Sequence, residues 1–341
     1  MSFYNCACYY TNNIFLEEYK LHVQFIDEEQ FKQEYEQKLR ENGCDTNDKL
    51  DRVLQTILSE VSRRKNANKD LIRRKEIIKD LYNKCHPAIY TLKQQYLHPN
   101  FLEIWHLCKN PHVKLKDVMD LLSREAANQV YSFPVLTTEF CEMFIQEIKH
   151  FEKSECPKGR PNTMNNYGVL LHELGFDEDF ITPLRDIYLR PITTILYPDW
   201  GGDCLDSHKA FVVTYKLGHD INLSYHYDNS EVTLNIGLGK QFTGSELYFG
   251  DMKSNSGKIS TSEFATYDHQ VGVGLLHRGL HMHGASPLTS GERYNIIVWM
   301  RSSEIRNELC PMCNKRPALV PCSGFGDGFT TGKMVELCTT L

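Results

Sequence analysis

His226 and Asp228 sit one residue apart near the end of a strand-like stretch. In an extended chain alternate side chains share a face, so imidazole and carboxylate converge while Tyr227 points away. Such a pair supplies two of the three ligands of the 2-His-1-carboxylate arrangement that holds non-haem iron(II) with open positions. Alone it is a weak signal, because a chain with 14 histidines contains about one His-x-Asp by chance. Further along, the segment Leu275 to Gly284 closes another strand-like run and offers three more imidazoles, His277, His281 and His283. Ten residues past His283 comes Arg293, opening an apolar strand that carries Tyr294, Ile296, Val298 and Met300. An unpaired guanidinium in a core is very costly, and its acidic neighbour Glu292 alternates to the opposite face. A small dicarboxylate would meet that need through a two-pronged pair.

The elements that must carry these residues are short strands after residue 208. Ala210–Lys216, Val232–Leu238, Ser245–Phe249, Gly272–His277 and Tyr294–Arg301 are separated by turn residues. Helices lie upstream. From the Asn47-Asp48 start signal, Leu50, Val53, Leu54, Ile57, Leu58 and Val61 recur at helical spacing, and a second segment carries Leu71, Ile72, Ile77, Ile78 and Leu81. Tyr9-Tyr10 and Leu21–Phe25 suggest a short strand before them. Val130–Leu136, with Pro134, reads as an edge or entry strand. Thr138 caps an amphipathic helix with Phe140, Cys141, Phe144, Ile145, Ile148 and Phe151 on one face. Ser154–Asn166 is a loop, and a further helix over Phe180–Leu196 is interrupted near Pro191. Strands in a block with helices only before them imply an α+β fold, a barrel or sandwich buttressed by helices on one side. The expected organisation is a mainly helical region over 1–127, a domain over 128–302 with its strand core at 208–302, and a Cys- and Gly-containing tail over 303–341.

The 341 residues, 41% hydrophobic and 24% charged, suffice for a packed core. A formal net charge of −6 gives no reason to expect nucleic acid as a partner. The first residues lack a basic n-region and an apolar core, and no run is apolar enough to span a bilayer. A cytosolic or nuclear protein with no membrane partner and 12 reduced cysteines is therefore expected.

The run from Phe211 to Arg301 resembles the double-stranded β-helix (jelly-roll) core of the iron(II)- and 2-oxoglutarate-dependent dioxygenases, within them the prolyl and procollagen-lysyl hydroxylase branch. The resemblance rests on Phe211-Val212-Val213-Thr214-Tyr215-Lys216, on His226 and Asp228, on Thr233-Leu234-Asn235-Ile236, and on His283-Gly284 followed by Pro287, Gly291, Arg293 and Tyr294. It implies Fe(II) held by His226, Asp228 and His283, and the far carboxylate of 2-oxoglutarate held by Arg293. It also implies that Tyr215 hydrogen-bonds the co-substrate. Asn235 and Thr233 would line its pocket. The family spacing to Arg293 selects His283 among the three downstream imidazoles, leaving His281 beside the ligands or facing solvent and His277 too far back. Two departures stand out: Asn295 occupies a place where many members carry serine or threonine, and Gly250–Thr266 reads as a mobile substrate loop. The implied reaction converts 2-oxoglutarate and O2 to succinate and CO2 while hydroxylating a small molecule or a protein side chain, with ascorbate in support. The rival reading is a catalytically silent metal-binding β-helix that acts as an interaction module through its helical N-terminal region.

Cys310-x-x-Cys313, with Cys322 and Cys338 downstream, could supply four thiolates to structural zinc, though unliganded thiols are the simpler expectation. Cys6-x-Cys8 has a poor chelate spacing. The Gly324, Gly326 and Gly328 run has no strand-turn-helix context, so it is a flexible turn and not a dinucleotide loop.

Overall fold

A computed structural model of the chain describes residues 3–124, 127–239, 241–253 and 264–331. Its centre is a pair of antiparallel sheets. The major sheet runs Ser123–Arg124, Tyr131–Pro134, Val273–Arg278, Val232–Gly239, Leu288–Arg301, Ser207–Lys216, Gly168–Leu170, with Phe242–Gly244 also pairing with Leu288–Arg301. The minor sheet runs Ala265–Tyr267, Leu247–Met252, His281–Ala285, Leu223–His226. Together they form the double-stranded β-helix, buttressed by helices on one side.

Period-2 alternation sorts every major strand into two faces. Val212, Leu234, Ile236, Leu238, Tyr294, Ile296, Val298 and Met300 face the helices and join the largest core. Phe211, Val213, Tyr215 and Ile297 face the minor sheet, where they pack with Leu170 and Leu288. Thr233, Asn235, Arg293 and Asn295 share that inner parity, which is why polar side chains end up inside the jelly roll. With both faces covered, the central strands are continuous buried runs, as Val232–Leu238 is. The helix Thr138–Lys153 lays Phe140, Phe144, Ile148 and Phe151 on the outer face. Its cap is Thr137, one residue before the expected Thr138: the Thr137 hydroxyl accepts from the Phe140 N–H.

The two upstream helical segments form one 35-residue helix, Asn47–Leu81. No glycine or proline interrupts it, and Thr46 caps it by accepting from the Lys49 N–H. Its first turns pack Leu50, Val53, Leu54 and Ile57 against Phe31, Leu39 and the hairpin of Ile14–Leu16 with Leu21–Val23. Its last turns reach the main core through Ile78, and Arg74 pairs with Glu173 at 2.7 Å. Tyr9-Tyr10 belongs to a helical turn, Cys8–Thr11, and not to a strand. The buried Arg64 guanidinium enforces this by donating to the carbonyls of Tyr9, Asn12 and Asn13. Beyond Pro183 the Phe180–Leu196 stretch is wound loosely with i→i+5 bonds, and Pro191 starts a regular helix, Arg190–Leu196.

The strand Phe3–Cys6 pairs antiparallel with Leu319–Cys322, so the two ends of the chain meet on the minor-sheet side. Among the described residues no helix is long and apolar enough to cross a membrane. Residues 254–263 of the expected substrate loop, and Cys338, lie outside the described residues.

Candidate metal centre and co-substrate pocket

His226 and His283 are cross-strand partners in the minor sheet, which sets their rings 4.3 Å apart. Asp228 leaves the same strand end and turns inward. Its N–H donates to the Gly279 carbonyl at 2.8 Å. Only glycine fits at 279, because a Cβ there would stand 2.0 Å from the Ser230 carbonyl oxygen. His226 Nε2 then lies 3.5 Å from Asp228 Oδ1, and His283 Nε2 lies 3.8 Å from Oδ2. The three donor atoms are all within 4.8 Å of one another, and all three side chains are buried.

The tautomers suit a metal. His226 Nδ1 donates to the Ser224 carbonyl at 2.8 Å, and His283 Nδ1 to the His281 carbonyl at 2.9 Å. Carbonyls only accept, so each proton sits on Nδ1 and each Nε2 lone pair faces the centre. Thr233 Oγ1 donates to Asp228 Oδ2 at 2.7 Å and leaves Oδ1 for a ligand role. Burial keeps His283 neutral by pushing its pKa far below the ordinary imidazole value. Two imidazoles presenting Nε2 and one carboxylate, all facing a common point, make a 2-His-1-carboxylate donor set suited to Fe(II).

Arg293, 2% exposed, lies in the same inner pocket as His226, Asp228 and His283, on the Leu288–Arg301 strand of the major sheet. Among the described residues no carboxylate pairs with it. Its Nε donates to Asn295 Oδ1 at 3.0 Å, and one terminal nitrogen donates to the Ser245 hydroxyl at 2.8 Å and to the Ser245 carbonyl. Burial lowers its pKa to about 10, which still leaves it charged at neutral pH. Tyr215 is its cross-strand partner, with the guanidinium 4.4 Å above the ring.

Tyr215 and Asn235 line this pocket too. The Tyr215 hydroxyl accepts from Asn165 Nδ2 at 3.0 Å, and Asn235 Oδ1 accepts from Asn295 Nδ2 at 2.6 Å. Asn295 therefore stands where the resemblance leads one to expect a hydroxyl, and it orients both Arg293 and Asn235. Thr233 holds the carboxylate as well as lining the pocket. His281 is not in solvent: its ring is buried with Nε2 donating to the Gly250 carbonyl at 2.9 Å, and its backbone carbonyl stands beside the ligands, accepting from His283 Nδ1.

Sequence distance misleads for His277. It is fully buried, its ring centre is 4.8 Å from that of His283, and its Nε2 has no hydrogen-bond partner among the described residues. The turn at Gly279 folds the chain from one sheet to the other and brings His277 back. Asn165 and Ser245 were also missed, since each lies outside the regular strands and acts through polar contacts that no periodicity marks.

The inner pocket measures about 30 Å³ and is separate from a cavity of about 480 Å³ bordered by His226, Tyr225, Trp299, Arg64 and Lys209. Asn162 and Leu223 line both spaces.

Residues 78–202 match the family model described as an OGFOD2-like domain. The chain is 52% identical over 328 residues to the 2-oxoglutarate and iron-dependent oxygenase domain-containing protein 2 of Danio rerio, across 96% of this chain and 94% of that protein. The Homo sapiens protein of the same name is 46% identical over 340 residues, across 98% of this chain and 97% of that protein. Among solved structures, a Pseudomonas putida prolyl-4-hydroxylase is 14% identical, covers 55% of this chain and 96% of its own, and superposes with a TM-score of 0.36.

Proposed function

This chain belongs to the family of 2-oxoglutarate and iron-dependent oxygenase domain-containing protein 2, and from that premise we propose that it is a working dioxygenase hydroxylating a substrate held in the larger cavity. The observation that carries this is the convergence of His226 Nε2, Asp228 and His283 Nε2, with both Nδ1 protons committed to carbonyls, beside a buried arginine that has no carboxylate partner among the described residues. Bound at that triad, Fe(II) supplies the activation of O2 that converts 2-oxoglutarate to succinate and CO2 and hydroxylates the substrate.

The chain's own residues hold and orient. Thr233 fixes the Asp228 carboxylate, and the His281 and Ser224 carbonyls fix the two rings, so metal binding finds its ligands arranged beforehand. Arg293 presents its planar fork to the C5 carboxylate, with Asn295 and Ser245 setting the plane. Tyr215 and Asn235 supply polar atoms along the co-substrate. The adjoining cavity of about 480 Å³ suits a small molecule or a long protein side chain. Ascorbate would support turnover, as the resemblance to the prolyl and lysyl hydroxylase branch implies.

The test is an anaerobic titration with Fe(II) and 2-oxoglutarate, followed by admission of O2 with and without ascorbate. A visible metal-to-ligand charge-transfer band that needs both components, then succinate on aeration, is the expected result. A band with no succinate would favour a silent metal-binding module, and no band would sink the reading.

A further inference from the structure

A second constellation lies at the meeting of the chain ends. Cys6, Cys8, Cys310 and Cys313 bring their four sulfurs within 4.8 Å of one another, and Cys8 Sγ stands 3.6 Å from Cys310 Sγ. A disulfide would need about 2.05 Å. Four thiolates at about 2.3 Å around a tetrahedral metal stand about 3.8 Å apart, which the observed spacing approaches.

We infer that these four cysteines form a structural zinc site, a clasp that ties the N-terminus to the C-terminal segment. The partners of Cys310 and Cys313 are thus Cys6 and Cys8. Cys322 lies outside the cluster, on the strand facing Phe3. An S4 tetrahedral set selects zinc or mononuclear iron among the common metals, and hard cations are excluded.

The surroundings need such a clasp. The contact it closes joins residues 302 apart in sequence, through a pairing of four-residue strands. A two-stranded ribbon is marginal in water. The apolar cluster beneath it has only Cys6, Cys310 and Phe329 fully buried, so sulfur makes up much of what would be its core. Both loops are already shaped. The Ala7 N–H donates to the Ala318 carbonyl at 2.7 Å, and the turn at Cys310–Cys313 is closed by Asn314 N–H to the Cys310 carbonyl at 2.9 Å.

The site carries a cation and a link to the oxygenase centre. Lys253 Nζ donates to the Pro311 and Met312 carbonyls at 2.7 and 3.1 Å, and it stands 4.0 Å over the Tyr227 ring. A lysine there offsets the double negative charge of a Zn(Cys)4 centre. The Tyr227 hydroxyl donates to the Met312 carbonyl at 3.3 Å. Tyr227 is the residue between His226 and Asp228, pointing away from them, so the clasp buttresses the strand end that carries two of the three triad ligands.

The experiment uses the full chain expressed with added zinc and dialysed against buffer. Elemental analysis compares wild type with a His226→Ala/His283→Ala double variant, with Cys8→Ser and with Cys313→Ser. About one zinc per chain that survives the histidine changes and is lost with either serine is the expected result. Stepwise addition of a mercurial to the wild type gives a reading that does not depend on the serine variants folding. The zinc should appear on a chromogenic chelator as the four clustered thiols are consumed. Cobalt(II) in its place should give thiolate charge-transfer and tetrahedral d–d bands. The proposal falls if zinc stays in the cysteine variants, if mercurial releases no metal, or if the protein is isolated with a coloured iron–thiolate centre and no zinc.

Discussion

The Thr233 hydroxyl donates to Asp228 Oδ2 at 2.7 Å and is itself within 2.7 Å of the Ser230 hydroxyl. A carboxylate ligand held in this way meets the metal in one orientation. Thr233→Val keeps the shape and β-branching but deletes the donor. Partners of this kind change metal affinity by about 10–100-fold when lost. Fe(II) affinity of the variant should fall by that factor while its melting temperature stays close to wild type. An unchanged affinity would show that the hydroxyl serves the strand and not the ligand.

His226→Ala, Asp228→Ala and His283→Ala should each abolish Fe(II)-dependent succinate formation and leave a folded protein. His281→Ala should keep substantial activity, because what His283 uses is the His281 carbonyl, which alanine retains. Succinate assays on purified variants, with circular dichroism to check folding, decide it. If the His281 variant were dead and the His283 variant active, the ligand would have to be moved two residues back along the strand.

How far such a site can be read from the chain depends on which force shaped each segment. Val232–Leu238 and the Arg293–Val298 part of the Leu288–Arg301 strand are buried on both faces, so their apolar runs announce them, and alternation separates Arg293 from Tyr294 without coordinates. Leu223–His226 and His281–Ala285 gave no such pattern. They are short, and their inward positions are given to imidazoles, so function overrides the hydrophobic signal where the metal-facing residues lie. The His226–His283 register belongs to pairing across strands 57 positions apart, which no local spacing encodes. Cys6-x-Cys8 looked unpromising because a single intervening residue is a poor chelate spacing. Its chelating partner lies at the other end of the chain, visible only once Phe3–Cys6 pairs with Leu319–Cys322.

A buried imidazole away from the triad makes stability depend on acid. His172 is 4% exposed, its Nε2 has no hydrogen-bond partner among the described residues, and burial pushes its pKa down to about 3. In the unfolded chain it titrates near 6.5. Between those values the unfolded state takes up a proton that the folded state refuses, so stability is complete above about pH 6.5 and is lost as pH falls. At pH 4 the loss from this residue is roughly 3 kcal/mol. His172→Gln should flatten that part of the profile, with carboxylate titrations common to both proteins cancelling in the difference. Urea midpoints from pH 7 to 4 measure it, and parallel curves for the two proteins would mean that His172 ionises within the fold.

Arg293→Lys should bind iron as wild type does yet weaken 2-oxoglutarate binding by ten-fold or more. The guanidinium uses Nε on Asn295 and one terminal nitrogen on Ser245 to fix the plane of its fork. A lysine keeps the charge but has one nitrogen and no plane, so it cannot satisfy those acceptors and also present two parallel donors. A charge-assisted hydrogen bond lost in a dry pocket is worth roughly 1.5–3 kcal/mol, and at about 1.4 kcal/mol per decade this corresponds to about ten- to hundred-fold. Iron ligation is spared because Arg293 bonds to Asn295 and Ser245 and lies over the Tyr215 ring, and makes no hydrogen bond or ion pair with the three triad side chains. Some thermal stability is also lost, since buried acceptors on Ser245 and Asn295 are left short of donors. Two titrations in sequence separate these effects: Fe(II) alone, then 2-oxoglutarate at saturating Fe(II). A variant that lost metal and kept its co-substrate affinity would make Arg293 a structural strand residue, and the dicarboxylate would have to be held elsewhere.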